Sequence, residues 1–133
     1  MSEAVAIIQR AADRGASQVQ LVRAALACVR AARNEVAPGN QAALQAVQAV
    51  ERWTLNPTAE NAGKALDSSP LLTTHNGLPP PNVDEVVSLA VAWVVLGAAS
   101  ADMMPLVAIW AVESAVEAAR DLDFDPIITA ELL

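Results

Sequence analysis

The chain has 133 residues, 54% hydrophobic, 3% aromatic and 17% charged, with a net charge of -7. That length argues for one domain, 1–133, rather than two large ones, and so apolar a composition argues against intrinsic disorder. One cysteine, Cys28, excludes an internal disulfide framework and a Cys-rich zinc site, and one histidine, His75, excludes sites built on several histidines.

Alanine recurs throughout, and β-branched residues are spaced among alanines rather than alternating with polar ones. That pattern predicts helix, because alanine is the best helix former and fills a sheet core poorly. Residues 3–14 are a short first helix stopped by Gly15. Ser17 caps a second, in which Val19, Val22, Leu26 and Val29 recur at three and four residues opposite Gln20, Arg23, Arg30 and Asn34. Pro38-Gly39 ends it. Asn40 caps a third, with Leu44, Val47, Val50 and Trp53 inward and Gln41, Gln45, Gln48 and Arg52 outward. Asn56-Pro57-Thr58 turns the chain into a short fourth helix reaching about Asp67, where Glu60 and Lys64 lie four apart in the favourable order.

The pattern then breaks. Residues 68–82 hold no charge and four prolines (Pro70, Pro79, Pro80, Pro81), with Asn76-Gly77 as a turn. Triple proline cannot continue a helix, so a long proline-rich loop separates two helical halves. Asn82 and Glu85 have capping-box spacing at the start of a helix reaching about Ala99. Val83, Val87, Ala90, Val94 and Gly97 share one face, while Val86, Trp93 and Leu96 extend the apolar surface around most of it, which predicts a central helix. Asp102 and Pro105 open the next, running to about Asp121 with Leu106, Ile109, Val112, Val116 and Ala119 inward. Asp125-Pro126 caps a last short helix, Ile127 to Leu133. The expected fold is therefore all-α, a compact bundle of six or seven helices.

Charge is unevenly placed. Residues 1–64 carry seven bases (Arg10, Arg14, Arg23, Arg30, Arg33, Arg52, Lys64) and five acids, about +2; residues 65–133 carry Arg120 and ten acids, about -9. An acidic C-terminal part disfavours a nucleic-acid role, which needs a basic footprint. It suits solubility, or the steering of a basic partner. No basic segment precedes the first apolar run, unlike a signal peptide, so a cytoplasmic protein is expected. Val86 to Ala101 and Met103 to Val112 are uncharged, but each falls short of the roughly 20 residues a bilayer span requires, and Asp102 sits at their join. A membrane role is not expected.

Few constellations carry chemistry. His75 lies in the loop beside Thr74 and Asn76 without an orienting partner, and no nucleophile elbow surrounds any serine. Cys28, mid-helix at the border of an apolar face, reads as packing rather than as a reactive thiol. Asp121-Leu-Asp123-Phe-Asp125 opens like a calcium loop, but Pro126 and Leu132 stand where glycine and glutamate are required. The five glycines are isolated, so no phosphate loop is present. The sole histidine has no Glu three residues before it, against a di-metal carboxylate bundle. No enzyme, metal or cofactor is expected. Glu113, Glu117 and Asp121 fall four apart on one predicted helical face, and like charges so placed repel by a few tenths of a kcal/mol per pair. That stripe is either a solvated face or a docking surface for a basic partner.

Leu26-Ala-Cys28-Val-Arg30, followed by Ala46-Val-Gln-Ala-Val50-Glu-Arg-Trp53 and Asn56-Pro-Thr58, resembles the opening of the alanine-rich, all-helical immunity proteins linked to bacterial polymorphic toxins. The resemblance spans residues 20–120 loosely. The proline-rich loop and the single histidine depart from the family pattern. The resemblance implies a non-enzymatic protein that binds and blocks a cognate toxin. With the charge skew, it makes the first expectation a protein-binding domain acting through Asp84, Glu85, Glu113, Glu117 and Asp121 on a basic toxin domain. The alternatives are a homo-oligomeric structural or adaptor protein joined through helices 83–99 and 103–121, and a binder of small hydrophobic ligands near Trp53, Trp93 and Trp110.

Overall fold

The computed structural model describes residues 3–68 and 83–132, and the described part is helical without a strand. In chain order the helices are α1 (Ala4–Asp13), α2 (Gln18–Val36), α3 (Gln41–Leu55), α4 (Ala59–Ser68), α5 (Val83–Ala99), α6 (Leu106–Ala118) and α7 (Asp125–Leu132). A 3-10 turn, Ala101–Met103, joins α5 to α6. The expected all-α bundle is the observed architecture. His75 and the proline-rich segment lie outside the described residues, as does the Asn82–Glu85 capping arrangement.

Local sequence sets the helix boundaries. Gly15 has a φ of 90°, a left-handed conformation that glycine adopts without steric cost, and the chain reverses there between α1 and α2. Ser17 and Gln20 form a reciprocal capping box: the Gln20 N–H donates to Ser17 Oγ at 3.2 Å, and the Ser17 N–H donates to Gln20 Oε1 at 2.8 Å. Asn40 Oδ1 accepts from the Ala43 N–H at 3.0 Å, while its Nδ2 donates to Ser88 Oγ at 3.1 Å, so one side chain caps α3 and ties it to α5. Thr58 caps α4, accepting from the Asn61 N–H at 3.1 Å. At the end of α2, Arg33 is only 7% exposed; its Nη2 donates to the Pro38 carbonyl at 2.7 Å and its Nη1 to Asn34 Oδ1 at 3.0 Å. A cation at a helix C-terminus is favourable, and this one also holds the Pro38-Gly39 turn.

The core is continuous and draws on every helix. α2 touches α1, α3, α5, α6 and α7, and α5 packs on α2, α3, α4 and α6. Most core residues are alanine or valine, so helices approach closely. One close junction is at Gly97, where a Cβ would meet Met104 Sδ and Val22 Cγ2 at 3.3 Å and Val107 Cγ2 at 3.4 Å. Gln18 Nε2 donates to the Gly97 carbonyl at 2.7 Å, satisfying one of the carbonyls orphaned at the end of α5.

Three expectations need correction. The helix expected from Asp102 starts only at Leu106, because a residue before proline is driven out of the helical region: Met104 has φ -83° and ψ 148°. It also stops at Ala118, since the chain turns over residues 119–122 to bury Phe124. Asp121 therefore lies in a turn, beyond the helix that carries Glu113 and Glu117. The expected inward face of this helix holds only in part: Val112 and Ala119 are buried, and Ile109 and Val116 pack at the margin of the core. Its buried residues are Val107, Ala108, Ala111, Val112 and Ala115, whereas Leu106 is 46% exposed and Ile109 and Val116 are half-buried. The buried side lies opposite the exposed Glu113 and Glu117 and is made of small side chains that allow close packing. Finally, the last helix starts at Asp125 rather than at Ile127, and the Asp125 N–H donates to Asp123 Oδ1 at 3.1 Å.

Cys28 is fully buried, deeper than the border position expected. Burial chiefly, helped by the nearby charges of Asp125 and Glu131, pushes its thiol from 9.0 up to about 12. Below pH 9 the thiol is neutral in folded and unfolded chains alike, and its contribution to stability is intact. As pH climbs from 9 toward 12 the unfolded chain ionises first, so stability is lost. The wild-type protein should lose about 1 kcal/mol relative to Cys28→Ala between pH 8 and pH 10, measured by urea unfolding of both. Parallel pH profiles would rule out a thiol held neutral by burial.

Candidate functional site

With Ala111, Val112 and Ala115 facing inward, helical geometry turns Glu113 and Glu117 outward, one turn apart. Both are exposed, as is Asp121 in the turn that follows. The loss of helix after Ala118 does not disperse them. Glu113, Glu117, Asp121 and Asp123 line a single open groove of about 890 Å³, floored by Val5 of α1 with Val116 and Leu122. Arg120 is the one cation on its lining. The groove exists because α1 packs against both α6 and α7. The corner is fixed by Asp125, whose Oδ1 accepts from the Glu3 N–H at 3.0 Å, across 122 residues of sequence. That bond sets a carboxylate at the positive end of α1.

Asp84 and Glu85 belong to the first turn of α5, and their side chains lie outside the described part of the structure. The short connection 100–105 and the extensive α5–α6 packing make the two helices an antiparallel hairpin. The first turn of α5 is consequently at the end of the bundle where α6 terminates, toward Glu117 and Asp121.

A second groove, of about 490 Å³, runs along the other side of α1 and is lined by Arg10 and Arg14 with Ile7, Ala11, Thr129 and Leu132. These arginines sit in and just after the last turn of α1, where cations favour the helix dipole. The skew of charge along the chain thus becomes a division in space, acidic on one flank of α1 and basic on the other. Further round, Arg23–Glu131 at 3.6 Å and Arg30–Glu51 at 3.2 Å join α2 to α7 and α3. As exposed pairs they add little stability.

Several groove residues were not anticipated. Val5 and Leu122 come from segments far apart in sequence, and Val116 was assigned to the core. Asp123 was visible only as a helix-terminating aspartate. The tryptophans do not converge: Trp53 is in the core at 4% exposure, while Trp93 and Trp110 pair with ring centroids 4.9 Å apart on the outer side of α5–α6. Neither groove is lined by a tryptophan.

Among the described residues no three metal-ligating side chains are placed so that they could hold one metal ion, and no helix is long and apolar enough to cross a membrane. Set against family models, curated proteins and solved structures, the chain matches none.

Proposed function

We propose that this chain is a non-enzymatic protein-binding domain that receives a basic, partly apolar segment of another protein in the groove beneath Glu113 and Glu117. The observation that carries this reading is the composition of that groove: four carboxylates around an apolar floor, with a single cation. Its lining offers a basic segment negative charge at the rim and apolar contact at the floor. Carboxylates at the rim speed encounter with a cationic partner, and Val5, Val116 and Leu122 supply apolar contact once it is seated. The toxin-neutralising form of the proposal rests on the resemblance of segments 26–30 and 46–58 to bacterial immunity proteins. It assigns the protein to the cytoplasm and makes a basic toxin domain its partner, with Asp84 and Glu85 extending the acidic surface.

The test is titration of the purified chain with an amphipathic helical peptide that carries leucine at i, i+3, i+4 and i+7 and lysine on the opposite face, followed by stopped-flow fluorescence. Neutralising Glu113, Glu117 and Asp121 together (E113Q, E117Q, D121N) is expected to cut the association rate about tenfold. Raising salt from about 0.05 to 0.3 M should cut the wild-type rate similarly. All three side chains are exposed, so the fold should be unaffected. Association unchanged by both manipulations would remove the groove from the function.

A further inference from the structure

The two grooves beside α1 differ in more than the sign of their charge. The basic one is lined by four polar side chains, Arg10, Arg14, Gln20 and Thr129, and every one of them can donate a hydrogen bond. Among the described residues no acid lines it. Neither Arg10 nor Arg14 takes part in an ion pair among the described residues, whereas Arg23, Arg30 and Lys64 do. The two guanidiniums belong to positions one helical turn apart, where like charges repel. Below them the lining is apolar, with Ile7, Ala11 and Leu132 all half-buried.

This groove is also short. The Glu3–Asp125 bond sets the starts of α1 and α7 together, and the two helices, packed side by side, form its walls. The reversal at Gly15-Ala16 bounds one end. From Ile7 to Arg14 it extends about 10 Å along α1, no more than the width of a single helix with its side chains. Its volume of about 490 Å³ falls within the range of roughly 300–1,000 Å³ for small-molecule pockets, and its mainly apolar surface with a few polar groups is of the same kind.

We infer that this groove binds a free medium-chain alkyl carboxylate, its headgroup clamped by Arg10 and Arg14 and its tail laid over Ile7, Ala11 and Leu132. Charge complementarity selects the headgroup. An anion between two unpaired guanidiniums replaces their repulsion with attraction, and the planar fork of each matches the two oxygens of a carboxylate. A phosphate is served less well. Phosphate sites use main-chain N–H groups at a helix start, and here those of Ser17 and Gln20 are already taken by their reciprocal capping box. The apolar lining selects the tail, because a headgroup alone would leave that surface in water. A tail of about eight carbons covers the roughly 10 Å available along α1.

Nitrogen–proton NMR titration of the full chain with sodium octanoate reads location and affinity together. The expected result is saturable shifts centred on the amides of Ala11, Ala16 and Leu132, with a Kd of about 0.1–1 mM, as so small a ligand allows. Acetate has the headgroup without the tail, and octylammonium the tail with the opposite charge; each should bind about tenfold more weakly or worse. R10Q together with R14Q should raise the octanoate Kd about tenfold. Both arginines are exposed, so the fold should be unaffected, and the unshifted remainder of the spectrum checks that. E113Q/E117Q/D121N, on the other flank of α1, should leave the octanoate Kd within about twofold. Failure of this site is therefore distinguishable from failure of the acidic groove. Shifts that do not saturate or that centre elsewhere, octylammonium binding as tightly as octanoate, indifference to R10Q/R14Q, or binding to phosphatidylglycerol vesicles but not to free octanoate would each overturn the inference.

Discussion

Phe124→Ala is expected to lower the free energy of unfolding by about 3–5 kcal/mol, the cost of truncating a buried aromatic. Phe124 is the only phenylalanine in the chain and is 0% exposed at the entry to α7. The core it fills is built mostly from alanine and valine, short or stiff side chains with little capacity to swing into a void. The cavity should therefore persist, and its size governs the penalty. A single domain has only about 5–15 kcal/mol of net stability, so this substitution removes a large share of it. Urea unfolding with an unchanged slope would show a folded but weakened protein. Because α7 packs on α2 and its Asp125 and Glu131 act on Cys28, loosening of α7 should also expose that thiol to modification in the folded state. A loss below about 1 kcal/mol, with Cys28 still protected, would mean the core collapses into the vacated space after all.

Gly97→Leu should cost about 1–3 kcal/mol, and Gly97→Ala should be close to neutral. Alanine gains about 1 kcal/mol of helix propensity over glycine. Against that, its methyl would sit 3.3 Å from Met104 Sδ and Val22 Cγ2. The thioether is flexible and can yield, whereas the valine methyls cannot rotate away cheaply. The two effects largely cancel. Leucine adds three more carbons where α2, α5 and α6 meet, and overpacking there should cost about 1–3 kcal/mol beyond alanine. The displacement would also strain the Gln18 hydrogen bond to the Gly97 carbonyl, which holds the start of α2 to the end of α5. Thermal unfolding of the two variants beside wild type provides the comparison. Equal stability of G97A and G97L would show that the junction is looser than its distances imply.

How much of this was legible beforehand depends on the range of the interaction. Ser17 with Gln20, Asn40 with Ala43, and Thr58 with Asn61 are caps spanning three residues, and each was readable because donor and acceptor share one stretch of chain. The inward positions Val47, Val50 and Trp53 of α3 were readable too, because a polar stripe of glutamines gave that helix a phase. In α5 no such stripe exists, whereas in α6 Glu113 and Glu117 mark the outer side, opposite the buried Ala111 and Ala115. Leu106 points outward, on the side of Glu113 and Glu117, and Ala111 inward.

The acidic site divides in the same way. Glu113 and Glu117 were recognisable as a pair from their spacing alone. Asp121 was placed on their helix, yet it reaches the same groove from a turn, because burial of Phe124 bends the chain there.

What the sequence determined by itself was the all-helical class, most helix boundaries and the skew of charge from about +2 to about -9, all properties of composition and neighbours within a few residues. What only the tertiary structure decided was which side of the apolar α5 faces in, and how α1 divides an acidic groove from a basic one. Those outcomes depend on contacts such as Glu3 with Asp125, between residues 122 apart, whose meeting no local pattern encodes.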